Sequence, residues 1–392
     1  MTAFLNALGV NCALGLDQAS VARALFAGDS SGLVSQAGWL PDGPALVAPV
    51  RGELPALPAE LAAHESRNNR LLLQAARQIE SALREAVQRY GADRVAVILG
   101  TSTSGIGESR DGFTHFVGTG QLPTGYAYDQ QLLEAPAECL AQWLGCQGPA
   151  YVISTACTSS GRALMSAQRL LAMGACDAVV CGGVDSLCQL TVAGFSSLAA
   201  VSASRCNPFS ANREGINIGE AAAVFLMTRE RSAQGPAIAL LGSGACSDAH
   251  HISAPDPTGQ GAASAMRQAL AQAGLAPEQV GYLNLHGTAT PHNDAMESLA
   301  VVQVFPAGVP CSSTKPMTGH TLGAAAALEV AFCWLSLAHR RLPPHLWDGV
   351  ADPALPCLPL TVAGQALEKP VLMSNSFAFG GNNVSLIIGE AP

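Results

Sequence analysis

The fold is decided by the stretch YVISTACTSSGRALMSAQRLLAM, which runs from Tyr151 to Met173. An apolar segment typical of a β-strand leads into small residues around Cys157, and a helical pattern follows from about Arg162. This order predicts a strand, a turn and a helix, as in α/β folds. It also puts the Cys157 sulfur near a helix N-terminus, where the positive end of the helix dipole and free N–H groups favour a thiolate and can bind an oxyanion.

The same alternation of β-rich and Ala- and Leu-rich runs continues along the whole chain. Strands are predicted at residues 4–9, 94–99, 150–154, 178–182 and 221–227, then at 237–244, 280–286, 309–313, 371–374 and 383–388. Helices are predicted at 66–90, 261–273 and 322–337, and proline-rich loops at 41–58 and 342–359. The helix at 322–337 is apolar enough to be buried. Five strands per half indicate a duplicated α/β unit, with an N-terminal half at 1–235, a C-terminal half at 236–392 and a boundary near 232–236.

The composition narrows the class of protein. Of the 392 residues, 49% are apolar and 12% are charged, which predicts an enzyme with large cores and a surface partly covered by a partner chain. The net charge of −9 disfavours binding to nucleic acid or to an anionic membrane. We find no signal-peptide pattern and no uninterrupted apolar span that could cross a bilayer. The twelve cysteines form no regular framework, so we expect a reduced, cytoplasmic protein.

Two histidine-bearing turns lie far downstream of Cys157. The first, HGTAT, begins at His286 after a buried strand, and a histidine at that end of a strand faces the crevice of an α/β fold. The second, KPMTGHTLG, contains Lys315 and His320 and precedes an apolar helix that carries Glu329. Taken alone, His286 is more typical of a core histidine and His320 of a helix cap. Together with Cys157, they suggest carbon–carbon bond formation on a thioester.

A further segment, NSFAFGGNN at residues 375–383, places two aromatic residues and two glycines between strands. One interpretation is an ordinary hairpin loop. The other is a flexible gate whose backbone N–H completes an oxyanion hole.

These four segments resemble those of the elongating β-ketoacyl-acyl-carrier-protein synthases, which are members of the thiolase superfamily. The resemblance runs in the same order through most of the chain and includes NPFS at 207–210 and DAHH at 248–251. It implies a thiolase-like fold, in which two duplicated βαβαβαββ halves form a layered α-β-α-β-α architecture. The N-terminal half would carry the nucleophilic cysteine, and the C-terminal half the two catalytic histidines and the gate. Initiating synthases differ in pairing the cysteine with His and Asn, and thiolases in using a second cysteine.

The resemblance implies an acyltransferase that performs a decarboxylative condensation. Cys157 would take an acyl chain from its carrier, and the backbone N–H groups of Cys157 and Phe379 would form the oxyanion hole. His286 and His320 would donate hydrogen bonds to the malonyl thioester carbonyl and stabilise the enolate left when carbon dioxide departs. Each step develops negative charge on a carbonyl oxygen, so fixed donors are what the reaction needs.

Supporting roles are also implied by the resemblance. Lys315 and Glu329 would orient and tune the histidines, while Thr288 and Thr290 would contact the phosphopantetheine arm. Neither a metal nor a dissociable organic cofactor is expected, because the pantetheine arrives on the acyl carrier protein.

The gate implied by the resemblance consists of Phe377, Ala378, Phe379 and Gly380. Phe377 would shield the departing carboxylate from water. Ala378 stands where elongating synthases usually have glycine, and its Cβ would restrict the backbone if the gate needs a positive φ. With such departures from the family pattern, the sequence is compatible with specialised polyene or polyketide synthesis as well as with fatty-acid elongation.

The expected partners are acyl carrier proteins loaded with acyl and malonyl groups. The chain would act as a homodimer, or as a heterodimer with a chain-length factor. An acidic carrier needs a positive patch, for which Arg67, Arg70 and Arg205 are the candidates. The same arginines are equally typical of a solvated surface.

Two alternative functions compete with catalysis at Cys157. One is a zinc site made of His286, His292, Asp294 and His320, which would leave the cysteine without partners. The other is a chain-length factor, a non-catalytic subunit that shares the fold but lacks the active cysteine. Cys157 and both histidines are intact here, which favours the enzyme.

Overall fold

The computed structural model describes residues 2–124, 126–233 and 235–391. The β-strands of these ranges are β1 (Ala3–Asn11), β2 (Val34–Leu40), β3 (Gly43–Ala48), β4 (Val95–Gly100), β5 (Ala150–Ile153), β6 (Ala178–Asp185), β7 (Ile218–Gly219), β8 (Ala221–Thr228), β9 (Ile238–Ser247), β10 (Tyr282–Asn284), β11 (Cys311–Ser312), β12 (Val371–Ala378) and β13 (Asn382–Glu390). The α-helices are α1 (Gln18–Ala27), α2 (Arg67–Gln78), α3 (Glu80–Tyr90), α4 (Ile106–Thr119), α5 (Ala135–Leu144), α6 (Ser159–Ala172), α7 (Gln189–Ser197), α8 (Gln260–Ala273), α9 (Pro291–Val304), α10 (Lys315–Thr318) and α11 (Ala325–His339).

The large sheet of the described chain has ten strands in the order β11-β10-β12-β13-β9-β1-β8-β6-β4-β5. When the five sheet strands of each half are numbered along the chain, both halves have the order 3-2-4-5-1. The parallel and antiparallel pairings are also the same in both halves. The halves join where β1 pairs with β9 over a short register, Ala3 with Leu240 and Phe4 with Ala239. The predicted duplication is therefore confirmed.

In the sheet, the strands of the first half end with β8 and those of the second half begin with β9. The predicted linker at 232–236 includes Gln234, which lies outside the described residues. The two ranges 1–235 and 236–392 remain predictions as separate domains.

Helices α6 and α11 form the central layer. α6 packs against β4, β6 and β13, and α11 packs against β8, β12 and β13, so each helix contacts strands of both halves. The helices α2, α3 and α5 pack on the N-terminal strands, and α8 packs on β9 and β13 with α9 beside it. Because α6 and α11 lie between the halves, the predicted α-β-α-β-α layering is present.

α11 is buried at every residue from Ala325 to Leu337, which explains why its sequence is almost continuously apolar. By length and composition the segment Leu322–His339 could cross a membrane, but 89% of it is buried inside the protein. The sequence prediction of a buried helix is confirmed.

Three segments fold differently from the sequence prediction. Residues 66–90 form two helices because Ile79 leaves the helical conformation, with φ −121° and ψ 18°. The proline-rich segment 41–58 contains β3, which pairs with β2 and β7 in a small three-stranded sheet. β2 carries many exposed residues, so no apolar alternation marks it. β12 runs to Ala378, beyond the predicted end at residue 374.

Candidate active site

Cys157 lies in the turn between β5 and α6. Thr158 occupies the N-cap position of the helix, which begins at Ser159, but its side chain makes no capping hydrogen bond. The residue before the cysteine, Ala156, has φ 52°, a left-handed conformation that a residue with a Cβ rarely adopts. Strained residues of this kind cluster at functional sites. The structure thus places the thiol at the strand-to-helix junction that the sequence predicted.

The start of α6 rests on two glycines at the ends of β4 and β6. A Cβ at Gly100 would lie 2.2 Å from the Ser160 backbone nitrogen, and one at Gly183 would lie 2.4 Å from the Ser160 Cβ. Any larger residue would push the helix away from the sheet. The Ser159 hydroxyl accepts a hydrogen bond from the Thr155 N–H at 2.9 Å and donates one to the Ala156 carbonyl at 2.5 Å. The position of Cys157 is therefore set by close backbone packing.

His286 follows β10 and is held by a buried carboxylate on α9. The N–H groups of His286 and Gly287 donate to Glu297 at 2.8 and 2.7 Å. Gly287 has φ 41°, and a Cβ there would lie 2.5 Å from the Ser313 Cβ. Sequence analysis missed Glu297. Its signal is an acidic residue within an otherwise mostly apolar helix, 11 residues after His286.

Lys315 and Glu329 form a buried ion pair behind His286. The Lys315 ammonium lies 2.5 Å from Glu329 Oε1 and 3.4 Å from His286 Nδ1, and it also donates to the His286 carbonyl. An ammonium has only donors, so His286 Nδ1 acts as the acceptor and its proton sits on Nε2. The ion pair thereby makes His286 a hydrogen-bond donor toward the cavity.

His320 contacts the thiol directly, with its Nε2 2.9 Å from Cys157 Sγ. Its ring lies 5.3 Å from that of His286, and the two planes meet at 86°. The main chain of His320 is held by the N-terminal half, because its N–H donates to the Asn217 carbonyl at 2.7 Å and its carbonyl accepts from the Gly219 N–H at 3.0 Å. Burial, and next the Lys315 charge, hold the pKa of both histidines well below the usual value. Both imidazoles are therefore neutral at rest.

Burial also has the largest effect on the pKa of the Cys157 thiol. It raises the pKa of Cys157 to about 12, while the Lys315 charge acts in the opposite direction with a smaller effect. The resting site thus differs from the thiolate expected from a helix N-terminus: the thiol is neutral, and His320 is placed to take its proton.

In a His320→Ala variant, where no imidazole takes the thiol proton, we expect the rate of alkylation of Cys157 by iodoacetamide to keep rising with pH up to about pH 10, because the thiolate fraction grows about tenfold per pH unit below the pKa. The rate can be followed by intact mass, with a Cys157→Ala variant reporting the background from the exposed Cys357. A plateau near neutral pH would show that the thiol is already ionised at rest.

Cys157, His286 and His320 line one cavity of about 430 Å³. The residues predicted to contact the pantetheine arm, Thr288 and Thr290, also line it, as do three residues of the predicted gate, namely Phe377, Ala378 and Phe379. The cavity therefore offers the thiol, the two imidazoles beside it and the hydroxyls of Thr288 and Thr290 to a bound thioester.

The segment predicted as a gate loop is a tight hairpin. Phe377 and Ala378 end β12 and pair with Asn383 and Asn382 of β13, so the prediction that they lie in a loop is wrong. The turn itself contains Gly380, whose φ is 82°, whereas Ala378 is not among the residues with positive φ. The Cβ of Ala378 therefore imposes no backbone strain.

Both aromatic residues of this hairpin pack against other rings. Phe377 meets His286 edge-on at 6.1 Å, and Phe379 lies 5.5 Å from Phe195. Phe377 therefore covers one side of His286, where a departing carboxylate would need protection from water.

The three arginines proposed for carrier docking differ in their surroundings. Arg67 pairs with Glu220, which is completely buried, and Arg70 pairs with Glu65. Arg205 is exposed, and its guanidinium makes a long contact of 3.4 Å with Ser30. The charges of Arg67 and Arg70 are thus balanced within the chain, and Arg205 is the better candidate of the three.

The geometry also bears on the alternative zinc site. The Asp294 carboxylate already accepts hydrogen bonds from the Phe209 and Ala289 N–H groups at 2.8 and 3.1 Å. Within the described residues, the cluster that could hold a metal is Cys157, His286 and His320, whose donor atoms lie within 4.8 Å of one another. Tetrahedral zinc brings its ligand atoms to roughly 3.3–3.7 Å from one another. His320 Nε2 and Cys157 Sγ are 2.9 Å apart, closer than two ligands of one zinc ion, and this distance is that of a hydrogen bond.

Comparison with known proteins connects this site to a family. The model of the β-ketoacyl synthase N-terminal domain matches residues 53–233, and that of the C-terminal domain matches residues 238–347. The chain is 34% identical over 319 residues to 3-oxoacyl-[acyl-carrier-protein] synthase 2 of Synechocystis, with 76% of each protein covered. It is 40% identical over 267 residues to the mitochondrial 3-oxoacyl-[acyl-carrier-protein] synthase of Arabidopsis thaliana, covering 63% of the chain but 57% of that protein.

A solved structure is similar over the full length. It is a ketosynthase of Xenorhabdus doucetiae in complex with its chain length factor, with 47% identity and a TM-score of 0.94. The superposition covers 100% of this chain and 98% of that one.

Proposed function

Since the chain belongs to the β-ketoacyl synthase family, we propose that it is the catalytic subunit of a heterodimeric ketosynthase that elongates carrier-bound acyl chains in a specialised polyene or polyketide pathway. As a family member it is a condensing enzyme, an acyltransferase that joins a thioester-bound acyl group to a malonyl group with loss of carbon dioxide. The residues described above divide this reaction into two half-reactions.

The first half-reaction loads Cys157. His320 Nε2 accepts the thiol proton, and the sulfur attacks the acyl thioester carbonyl of the carrier. The bond from that carbonyl carbon to the carrier sulfur breaks, and the released pantetheine thiolate recovers the proton from His320. The N–H groups of Cys157 and Phe379 stabilise the intermediate oxyanion. Acylation also frees His320 from its hydrogen bond with the thiol.

The second half-reaction uses both histidines as donors. The bond between the malonyl carboxylate and its methylene carbon breaks, carbon dioxide leaves, and the electron pair passes to the thioester oxygen. His286 donates a hydrogen bond to this enolate through Nε2–H. His320 donates a second one after its ring proton has moved from Nδ1 to Nε2, which no longer faces a thiol proton once Cys157 is acylated. The methylene carbon then attacks the acyl group on Cys157, and the sulfur leaves as a thiolate that takes one proton from the solvent by way of His320. The product is a β-ketoacyl thioester on the carrier.

In this proposal the reaction needs no metal and no dissociable organic cofactor, because the phosphopantetheine is part of the carrier. Thr288 and Thr290 are proposed to contact its arm, which their position on the cavity wall supports. A cytoplasmic location is also proposed, and it is supported by the cysteines, which are all free in the described residues.

The observation that carries the proposal is the contact of 2.9 Å between His320 Nε2 and Cys157 Sγ, with His286 lining the same cavity. A nucleophile with its base in reach is the signature of covalent catalysis. A chain-length factor, which lacks the cysteine, would have no use for this arrangement.

The two histidines are expected to separate the half-reactions. His286→Ala should lower malonyl decarboxylation by about 10²–10³-fold and leave acylation of Cys157 nearly unchanged, because His286 contributes a donor to the enolate. His320→Ala should slow both, since it also removes the base. Decarboxylation is measured as carbon dioxide release and acylation by intact mass. Equal losses of both half-reactions in His286→Ala would refute the assignment.

Two surface features support a partner chain. β5 is an edge strand of the large sheet, and edge strands readily pair with another chain. α4 exposes Phe113, Phe116 and Val117 by 50%, 46% and 85%. Exposed apolar patches of this kind mark interaction sites. The similar Xenorhabdus ketosynthase occurs with a chain length factor, which makes such a factor the proposed partner, with a homodimer as the alternative.

The partner proposal is tested by co-expressing the chain with the chain length factor of the similar Xenorhabdus complex. We expect native mass spectrometry to show a 1:1 heterodimer, and Phe116→Glu on α4 to dissociate it while Cys157 is still alkylated. The exposed Ile252, outside α4, provides the control Ile252→Glu. A fully active homodimer that ignores the added factor would contradict the proposal.

A further inference from the structure

Asp185 is a buried carboxylate that the reaction scheme does not use. It ends β6 and is completely inaccessible to solvent. Its oxygens accept hydrogen bonds from the Thr101 hydroxyl at 2.6 Å, from the Ser102 and Thr103 N–H groups at 2.9 Å each, and from the Thr103 hydroxyl at 2.8 Å. The Gly323 N–H donates to the second oxygen at 2.5 Å. Backbone N–H groups can only donate, so this site is built for an anion.

The segments that meet at Asp185 come from the two halves of the fold. On one side, the Ser102 hydroxyl donates to the carbonyl of Ala156, the residue before Cys157, at 3.4 Å. On the other side, Gly323 lies three residues after His320 in a turn where Leu322 has φ 52°. One carboxylate therefore connects the backbone beside the nucleophile to the backbone beside its base.

We propose that Asp185 is a positioning residue that sets the distance between Cys157 Sγ and His320 Nε2. The backbone N–H and carbonyl of His320 are held on one side by Asn217 and Gly219. Asp185 holds the following turn on the other side, so that the imidazole cannot move away from the thiol. The importance of this alignment for catalysis rests on the proposed function, but the alignment itself can be measured with a small alkylating reagent.

Gly323 offers an independent way to disturb the same contact. A Cβ at this glycine would lie 2.7 Å from Asp185 Oδ2 and 2.7 Å from the Ser102 nitrogen, so Gly323→Ala must push the turn away while keeping the charge. Asp185→Asn keeps the size of the side chain but replaces one carboxylate oxygen by an amide NH₂. With the NH₂ at the position of Oδ2, two donors would face each other, because the Gly323 N–H also points there. Both variants disrupt the hydrogen bond between the Gly323 N–H and Asp185, one by changing the acceptor and the other by displacing the donor.

Asp177, immediately before the start of β6, provides a control carboxylate that also accepts several hydrogen bonds. It precedes β6 at the other end, about 26 Å from Asp185 along the strand. Its carboxylate accepts hydrogen bonds from Arg94 and Arg229, which are not part of the cavity. Asp177→Asn therefore disturbs a carboxylate network without touching the alignment.

The test measures alkylation of Cys157 by iodoacetamide at neutral pH, in the native chain and in a His320→Ala background. We expect Asp185→Asn and Gly323→Ala to slow the reaction by about tenfold each, because part of the base assistance from His320 is lost. In the His320→Ala background neither should slow it further, and Asp177→Asn should have no effect in either. The negative charge of Asp185 itself raises the pKa of Cys157. Its removal alone would accelerate alkylation, so a slower reaction reports lost alignment.

Unchanged rates in both variants, or the same slowing in the His320→Ala background, would overturn the proposal. If Asp185→Asn does not fold, Gly323→Ala decides the question alone. Alkylation that follows the expected pattern in a chain unable to condense any carrier-bound substrate would support the positioning role and refute the proposed function instead.

Discussion

Replacing Cys157 by alanine is expected to abolish acyl-enzyme formation completely while malonyl decarboxylation continues. Among the described residues that line the cavity, Cys157 is the one with a thiol, whereas the donors that stabilise the enolate are on His286 and His320 and remain in place. The acyl-enzyme is measured by intact mass after incubation with an acyl carrier, and decarboxylation by release of carbon dioxide.

The matched control is Cys206→Ala, because Cys206 is equally buried but does not line the cavity. This variant should be acylated like the native chain. Normal acylation of Cys157→Ala would show that the nucleophile lies elsewhere. Loss of decarboxylation in the same variant would mean that the thiol takes part in forming the enolate.

Replacing Lys315 by methionine is expected to destabilise the protein by about 3–5 kcal/mol, because it leaves the carboxylate of Glu329 buried without its partner. Condensation should be lost as well, since His286 Nδ1 loses the donor that fixes its tautomer. Thermal or denaturant unfolding gives the stability, and decarboxylation gives the loss of function.

The destabilisation by Lys315→Met should depend on pH. Burial raises the pKa of Glu329 to about 7 and Lys315 opposes this rise, so removing the ammonium raises the pKa further. A carboxyl whose pKa is higher in the folded than in the unfolded state favours folding at low pH, and this advantage is lost as pH rises above the unfolded value near 4.5. Up to about pH 7 both chains lose this advantage in parallel. The stability difference between them should therefore grow only above about pH 7, where Glu329 ionises in the native chain but stays protonated in the variant.

A double variant separates the charge effect from the chemistry. In Lys315→Met with Glu329→Gln both charges are gone, and most of the lost stability should return while condensation stays absent. A double variant as unstable as Lys315→Met alone would show that packing, and not the unpaired carboxylate, causes the loss.

Much of the fold could be predicted from the sequence because the strands of the large sheet are short β-rich runs between helical patterns. The small sheet could not, since β2 is largely exposed and carries no apolar alternation. The break at Ile79 was missed for a related reason: apolar residues at helical spacing continue across it, and the change of direction depends on packing.

The sequence could predict which residues form the candidate site. It could not predict their protonation states or the buried carboxylates that hold their backbone in place. Cys157, His286, His320, Lys315 and Glu329 stand in recognisable turns, or on a helix next to one, and the structure brings them together. The resting state of the thiol depends on burial, which no local pattern contains. Asp185 and Glu297 act through contacts with segments that are distant or irregular in sequence. An acidic residue in a completely buried strand was the one available signal for Asp185.

The common strand order of the two halves has a consequence for the origin of the chemistry. Cys157 follows the third strand of the first half and precedes α6, while His320 follows the third strand of the second half and precedes α11. Nucleophile and base are thus counterparts under the pseudo-twofold symmetry of the duplication, and they face each other across its axis. A single ancestral half could have brought two copies of this turn together only by self-association. Divergence after duplication would then have given each copy its own chemical task.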